Sequence, residues 1–380
     1  MKTMDTITLR RTWAEIDLDA LAHNYHQIRN HVSPSAKFLG VVKADAYGHG
    51  AVPIAAKLEA LGADYLATAT FEEARELRVG GIKCPILVLG HTPAELTEAL
   101  IEYDITQAVA SLGKAKAFSA SAAKCKKELK IHIKVDSGMT RIGFRLCGES
   151  KQAIEDIEEA CCLPNLYAEG IFTHFAVSDE ETVESKAYTK EQLAVFQQAI
   201  LELEKRNISF RIRHCANSGA IAFHREAHMD MIRAGIILYG SGDGTKVLSM
   251  KPVMKLKTCI YDIRTVEQGA EVGYGRTFCA ENPLRIGVIP VGYADGLSRA
   301  GSNRLSVWTS QGPVPIVGRV CMDMTMVDLT DVQNVREGDE VEIFGAQQTV
   351  DEVADIVGTI SHTVLCAVSK RVPRVYLDSR

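Results

Sequence analysis

No Cys-x-x-Cys pair occurs in this sequence, although its 380 residues include ten cysteines. Only Cys161 and Cys162 are adjacent, and such scatter in a large chain argues against both a disulfide framework and a thiolate metal site. Reduced, mostly buried thiols are expected. No apolar run approaches the roughly 20 residues of a membrane span, and Met1 to Arg11 lacks the apolar stretch of a signal peptide. A cytoplasmic protein without a membrane partner is the expectation. Nor is there a block of Lys and Arg: 43 basic against 48 acidic residues leave a net charge of −5 and no electrostatic footprint for nucleic acid. A phosphate loop ending Gly-Lys-Ser/Thr, internal repeats and low-complexity tracts are missing too. Gly240-Ser241-Gly242-Asp243-Gly244 lacks the strand-to-helix setting of a dinucleotide loop. His224 and His228 have the i, i+4 spacing of a helical zinc pair but no third ligand, so they read as a solvated helix face.

What is present is ordinary in amount, 46% hydrophobic and 24% charged residues, and informative in order. The length suits two domains, or one large barrel with an appendage. Between Lys37 and Arg233, eight short apolar runs read as strands: Lys37–Lys43, Tyr65–Thr68, Pro85–Leu89, Thr106–Val109, Lys130–Val135, Leu166–Thr173, Arg211–His214 and Asp230–Arg233. Helical patterns alternate with them, among them Ala51–Leu61, Phe71–Arg78, Pro93–Tyr103 and Glu180–Arg206. Eight such repeats predict a (β/α)8 TIM-type barrel, with an open doubly wound sheet as the alternative. Leu238 to Gly244 reads as a linker, followed by β-like runs at Val253–Val266, Glu271–Phe278, Arg285–Val291, Val314–Leu329 and Glu340–Phe344. The expected division is a barrel over residues 1–244 and a mainly β domain over 245–380. Thr12–Leu18 could pair with either.

Barrels carry their chemistry at the C-terminal ends of the strands, so the polar residues there are the candidates. Lys43 ends the first run, Arg141 follows the fifth, His174 ends the sixth, His214, Asn217 and Ser218 follow the seventh, and Arg233 closes the eighth. A lysine directly after an apolar run is partly desolvated, which lowers its proton affinity and makes it a usable amine nucleophile. Asn217-Ser218-Gly219 and Ala234-Gly235-Ile236 let backbone N–H groups approach an anion closely. A desolvated strand-end lysine opposite a phosphate cup suits pyridoxal 5'-phosphate held as a Schiff base.

Val41-Val42-Lys43-Ala44-Asp45-Ala46-Tyr47-Gly48-His49-Gly50 and Asp136-Ser137-Gly138-Met139-Thr140-Arg141-Ile142-Gly143 are specific enough to identify a relationship. From Trp13 to about Arg374 the sequence resembles the alanine racemase family, two-domain pyridoxal-phosphate enzymes. The resemblance implies Lys43 as the Schiff-base lysine and Tyr47 as a phosphate ligand. Arg141 would lie near the cofactor 3′ oxygen and the substrate carboxylate, with Lys134 matching a lysine often carbamylated beside it. His174 would lie at the cofactor ring. Asn217, Ser218, Gly235 and Ile236 would form the phosphate cup, near Tyr239. Arg233 would face the pyridine nitrogen, where a guanidinium, unlike an acid, keeps the carbanion shallowly stabilised and favours racemisation over transamination. Val272-Gly273-Tyr274-Gly275-Arg276-Thr277 resembles the segment of the second base, so Lys43 would serve one enantiomer of alanine and Tyr274 the other. His214 would support Tyr274, and Tyr293, Met322 and Asp323 would shape the substrate's way in and its carboxylate end. Tyr274, Tyr293 and Met322 would come from the other subunit of a head-to-tail homodimer with shared sites.

Two residues depart from the family pattern: Asp45 replaces the usual asparagine, and His362 a pocket tyrosine. The smaller imidazole leaves room for serine beside alanine. Two other functions stand as alternatives. A related pyridoxal-phosphate decarboxylase pairs the pyridine nitrogen with glutamate, whereas Arg233 stands here; a cofactor carrier without turnover resembles the barrel alone.

Overall fold

The computed structural model describes residues 11–148 and 151–379. The first ten residues, and with them most of the segment expected to lack a signal peptide, lie outside the described residues. After β1 (Thr12–Asp17), eight parallel strands form a nearly closed barrel: β2 (Lys37–Val41), β3 (Tyr65–Thr68), β4 (Ile86–Val88), β5 (Ile105–Val109), β6 (Leu129–Asp136), β8 (Leu166–Phe172), β9 (Ile212–His214) and β10 (Met231–Ala234). The two-residue β7 (Phe144–Arg145) adds to β6. β10 pairs with β2, and β9 meets β10 through Asp230 N–H to Arg213 O (3.1 Å) and Arg233 N–H to Ala216 O (3.0 Å). All eight predicted barrel strands are therefore present, and the open-sheet alternative is excluded.

The barrel strands read so clearly because β3, β4 and β5 are buried at every position, so they are apolar runs rather than alternating ones. The helices that cover them start on sequence signals. Thr70 and Glu73 form a reciprocal capping box at Phe71–Val79, and Leu58 of the helix Ala51–Leu61 packs so closely on β2 that a Cβ at Gly40 would stand 2.7 Å from it.

β1 lies within the 1–244 segment expected to be barrel, yet it pairs with the second sheet: antiparallel to β11 (Met254–Cys259) and parallel to β20 (Arg374–Leu377). Between these strands come β12 (Asp262–Val266), β13 (Glu271–Val272), β14 (Phe278–Cys279), β15 (Leu284–Ile289), β16 (Ser306–Thr309), β17 (Gly312–Pro315), β18 (Thr325–Asp328) and β19 (Glu340–Phe344). The main sheet runs β17-β16-β19-β11-β1-β20, beside a three-stranded sheet β12-β15-β18 and the hairpin β13-β14. Glu271–Phe278 is not one strand. Gly273 and Gly275, with φ of 75° and 72°, turn the chain between β13 and β14 and lift Tyr274 onto the turn.

Three other expectations need correction. The stretch from Leu238 to Gly244 is packed rather than a free linker: Tyr239 donates to Val41 O at 2.8 Å, and Gly242 N–H donates to the Asp351 carboxylate. All ten cysteines are unbridged, but only Cys84 and Cys215 are fully buried, and Cys147, Cys162, Cys279 and Cys366 are exposed. His224 and His228 are buried rather than solvated; His228 Nε2 donates to Ile221 O at 3.0 Å, and no metal-binding cluster occurs among the described residues.

Candidate active site

Lys43 opens a five-residue helical turn, Lys43–Tyr47, just past the end of β2. Ala44, Asp45, Ala46 and Tyr47 all have φ between 52° and 54°, so this turn is left-handed. Contacts from distant segments impose it. Ala44 N–H donates to Glu73 Oε1 (2.7 Å), Ala51 N–H to Asp45 Oδ1 (2.7 Å), and Arg374 Nε to Gly48 O (2.9 Å). Asp45 thus caps the next helix, and it is Glu73 whose charge favours protonation of Lys43. Burial outweighs this, helped by Arg141, and lowers the Lys43 pKa below its usual value. Lys43 has no hydrogen-bond or ion-pair partner among the described residues, so its amine is available.

Beside it, Tyr47 and Ser218 make a cradle around Gly235. A Cβ at Gly235 would stand 3.0 Å from Tyr47 Oη and 3.3 Å from Ser218 Oγ, so a side chain there would fill the space between the two hydroxyls. Ser218 Oγ accepts the Gly235 N–H at 3.2 Å, and Asn217 caps the helix Ser218–Phe223 through the Ala220 N–H. Ile236 continues from Gly235 at the rim. A hydroxyl-lined cradle next to a free amine fits the phosphate and carbonyl of pyridoxal phosphate. His362 closes this side, its ring 5.5 Å from that of Tyr47.

Arg233, almost fully buried, spans the centre. Its Nη2 donates to Thr173 O (2.9 Å), Cys215 O (2.9 Å) and His174 Nδ1 (3.1 Å), and its Nη1 to His214 Nδ1 (3.1 Å). Burial pushes it down to about 10, so it stays charged at neutral pH. His214 is not placed to support Tyr274: it is fully buried, and its second nitrogen lies 2.9 Å from His132 Nδ1. Lys134 packs its amine over Phe172, 4.9 Å from the ring centroid, and burial plus Arg233 hold its pKa well below the usual value. Arg141 is exposed on the loop after β6, which Asp136 shapes by accepting the Gly138 and Thr140 N–H groups at 3.0 and 2.9 Å.

The remaining candidates form a second group. Tyr274, Tyr293, Met322 and Asp323 line one open groove of about 1060 Å³, together with Arg319 and Met324 and with no barrel residue. Tyr274 is 73% exposed and Met322 53%. Tyr293 N–H donates to Cys321 O at 3.0 Å, which joins the two loops, while Asp323 is committed to Arg371 at 2.7 Å. One chain therefore does not bring Tyr274 to Lys43.

Sequence reasoning assigned no role to Glu73, Arg374 or His132, which hold the lysine turn and the contacts of Arg233. It also missed His49, whose full burial pushes its pKa from 6.5 down to about 4. His132, His174 and His214 are pushed the same way. The unfolded chain takes up protons below pH 6.5 while these buried rings refuse them, so stability present above pH 6.5 is lost as pH falls toward 4. For His49 alone this amounts to about 2 kcal/mol between pH 6.5 and 5. Thermal melts across that window test it: His49→Gln should melt with a slope shallower by up to one proton, and an unchanged slope contradicts the assignment.

The relationships of the sequence agree with this arrangement. Residues 16–243 match the family described as alanine racemase, N-terminal domain, and residues 253–376 its C-terminal domain. Alanine racemase 2 of Caldanaerobacter subterraneus subsp. tengcongensis is 45% identical over 376 residues, covering 97% of this chain and 95% of that protein. The alanine racemase of Clostridium difficile 630 superposes with a TM-score of 0.91 at 40% identity, over 100% of this chain and 97% of the other. The structure of alanine racemase from Bartonella henselae with covalently bound pyridoxal phosphate gives 0.87 at 29% identity, over 97% and 99%.

Proposed function

The chain belongs to the alanine racemase family, and from that premise we propose that Lys43 and Tyr274 are the two bases of a pyridoxal-phosphate-dependent amino-acid racemase, each site drawing them from different copies of the chain. It interconverts L- and D-alanine. The division of labour falls near residue 244, with the barrel holding the cofactor and the following β region supplying the second base. The observation that carries this reading is Lys43, a half-buried amine with lowered proton affinity and no partner among the described residues, next to the Tyr47–Ser218 cradle.

Bound pyridoxal phosphate supplies an electron sink for the electron pair left on the substrate α-carbon. The chain does the rest. Tyr47, Ser218 and the backbone at Gly235 and Ile236 would hold the phosphate, with Asn217 fixing the segment, and His174 would stand at the ring. Arg141 binds the substrate carboxylate. Arg233 would face the pyridine nitrogen as a cation that gives up no proton, which would limit charge delocalisation there and favour prompt reprotonation at the α-carbon. Lys43 Nζ takes or returns the α-proton on one face and Tyr274 Oη does so on the other. The buried amine of Lys134, its proton affinity lowered by burial and by Arg233, suits reaction with carbon dioxide to a carbamate beside Arg141, with release of a proton.

Exposed Tyr274, Tyr293 and Met322 in a groove without barrel residues support a homodimer in which the groove of one copy covers the barrel mouth of the other. Among the described residues no helix is long and apolar enough to cross a membrane, and the near-balanced charge offers nothing for nucleic acid; we place the enzyme in the cytoplasm. Chiral chromatography of the products from L-alanine, L-serine and L-lysine with purified, cofactor-loaded protein tests the reading. Absence of D-alanine overturns it.

His362 should extend the range. An imidazole in place of a phenol ring beside Tyr47 leaves space near the substrate β-carbon and a nitrogen to meet a hydroxyl. Serine should be racemised measurably, and His362→Tyr should lower the serine-to-alanine ratio of kcat/KM by about tenfold, a small group in a pocket being worth roughly 1–3 kcal/mol. An unchanged ratio removes His362 from specificity.

A further inference from the structure

Two features of the backbone converge on a buried histidine that the reaction above does not use. Where β6 pairs with β8 the register shifts: Ile131 faces Ala168 and His132 faces Gly170, leaving Glu169 as the extra residue of a bulge. At Gly170 a Cβ would lie 2.7–2.8 Å from three atoms of the His132 ring, so glycine makes room for that ring. The outcome is a buried line across the barrel. Tyr65 donates to Glu169 Oε2 at 2.6 Å, His132 Nε2 lies 3.5 Å from the same oxygen, His132 Nδ1 lies 2.9 Å from His214 Nε2, and His214 Nδ1 meets Arg233.

Donor chemistry sets the protons along this line. A guanidinium only donates, so His214 Nδ1 must accept and its proton sits on Nε2. That proton goes to His132 Nδ1, so the His132 proton sits on Nε2, which has no hydrogen-bond partner among the described residues and faces the Glu169 carboxylate. The reversed set of tautomers would point an N–H at the N–H of Arg233. Arg233 has no carboxylate ion-pair partner of its own among the described residues; the carboxylate of this line stands two imidazoles away.

We propose that Glu169 is a positioning residue for Arg233: as the negative charge that faces His132 Nε2–H at the far end, acting through His132 and His214, it holds the tautomers whose lone pair orients the guanidinium. The catalytic consequence rests on the racemase reading; the proton pattern does not. A carboxylate that fixes a histidine tautomer for a group beyond it performs a recognised kind of positioning.

The test uses the holoenzyme labelled with 15N-histidine. Long-range proton–nitrogen correlations should show His132 and His214 as single, neutral Nε2–H tautomers. In Glu169→Gln the amide can offer His132 Nε2 a donor as well as an acceptor, so a second, Nδ1–H set should appear for both rings, in which Arg233 has let go of His214 Nδ1. There kcat for alanine should fall about tenfold while KM stays within about twofold. Glu169→Asp, which keeps only acceptors, should retain the single set and recover most of kcat. An Nδ1–H tautomer or a doubly protonated ring in the wild type overturns the proposal without any variant, even if Glu169→Gln does not fold. So does a single wild-type set in Glu169→Gln, or unchanged kcat when the tautomers change, or an Asp variant as impaired as Gln. Wild type that fails to racemise alanine but shows the tautomer pattern refutes the racemase reading instead.

Discussion

Lys43→Ala should bind no cofactor covalently and lose racemisation by at least about a thousandfold, since it removes both the point of attachment and one of two proton-transfer groups. Two lysines of lowered proton affinity face this barrel mouth, so the choice between them can be tested. Lys134 is buried against Phe172, whereas Lys43 is half exposed at the end of β2, next to the Tyr47–Ser218 cradle. Borohydride reduction of the loaded wild type followed by peptide mass mapping should place the whole label on Lys43. Label on Lys134 sinks the assignment.

Tyr274→Phe should leave cofactor binding intact and slow racemisation by about 100- to 10,000-fold in both directions, because each direction needs a group on both faces of the α-carbon. In deuterated water, α-proton exchange without inversion should persist for the enantiomer that Lys43 deprotonates. The subunit origin of Tyr274 can be read by mixing. When Lys43→Ala and Tyr274→Phe chains are dissociated and reassociated together, half the dimers are mixed and one of their two sites regains both bases, so roughly a quarter of wild-type activity should return. Activity that stays absent shows that one chain supplies both bases to its own site. Full activity in Tyr274→Phe alone ends the two-base mechanism.

The barrel was legible in the sequence because strands covered on both faces need apolar residues throughout, as β3, β4 and β5 have. The β region was less so. Its strands are short, and Glu271–Phe278 reads as one run only if the glycines on either side of Tyr274 are overlooked. β16 and β20 were missed, the latter four residues long and paired with the start of the chain. Within the site, strand-end residues such as Lys43, His174 and Arg233 were found where a barrel should carry them. The role expected for His214 was wrong, since motif position does not reveal that both ring nitrogens are already engaged. His132 and Glu169 lie inside strands, and the available hint was a histidine and a glutamate in runs otherwise fit for burial. Nothing local in Ala44-Asp45-Ala46-Tyr47 announces a left-handed turn.

That turn has a consequence for the order in which the protein is made. Four non-glycine residues in the left-handed region cost roughly 4–8 kcal/mol, comparable to the whole margin by which a domain stays folded. Part of what offsets this comes from far along the chain: Arg374 bonds the Gly48 carbonyl across 326 positions, and the Leu365 carbonyl packs against Gly48 so closely that a Cβ there would stand 2.5 Å from it. A nascent barrel still tethered to the ribosome lacks these contacts. The turn is then held only by the bonds to Glu73 and Asp45, so loading with pyridoxal phosphate is expected to follow synthesis, and a chain that ends before β20 should bind the cofactor more weakly than the full chain.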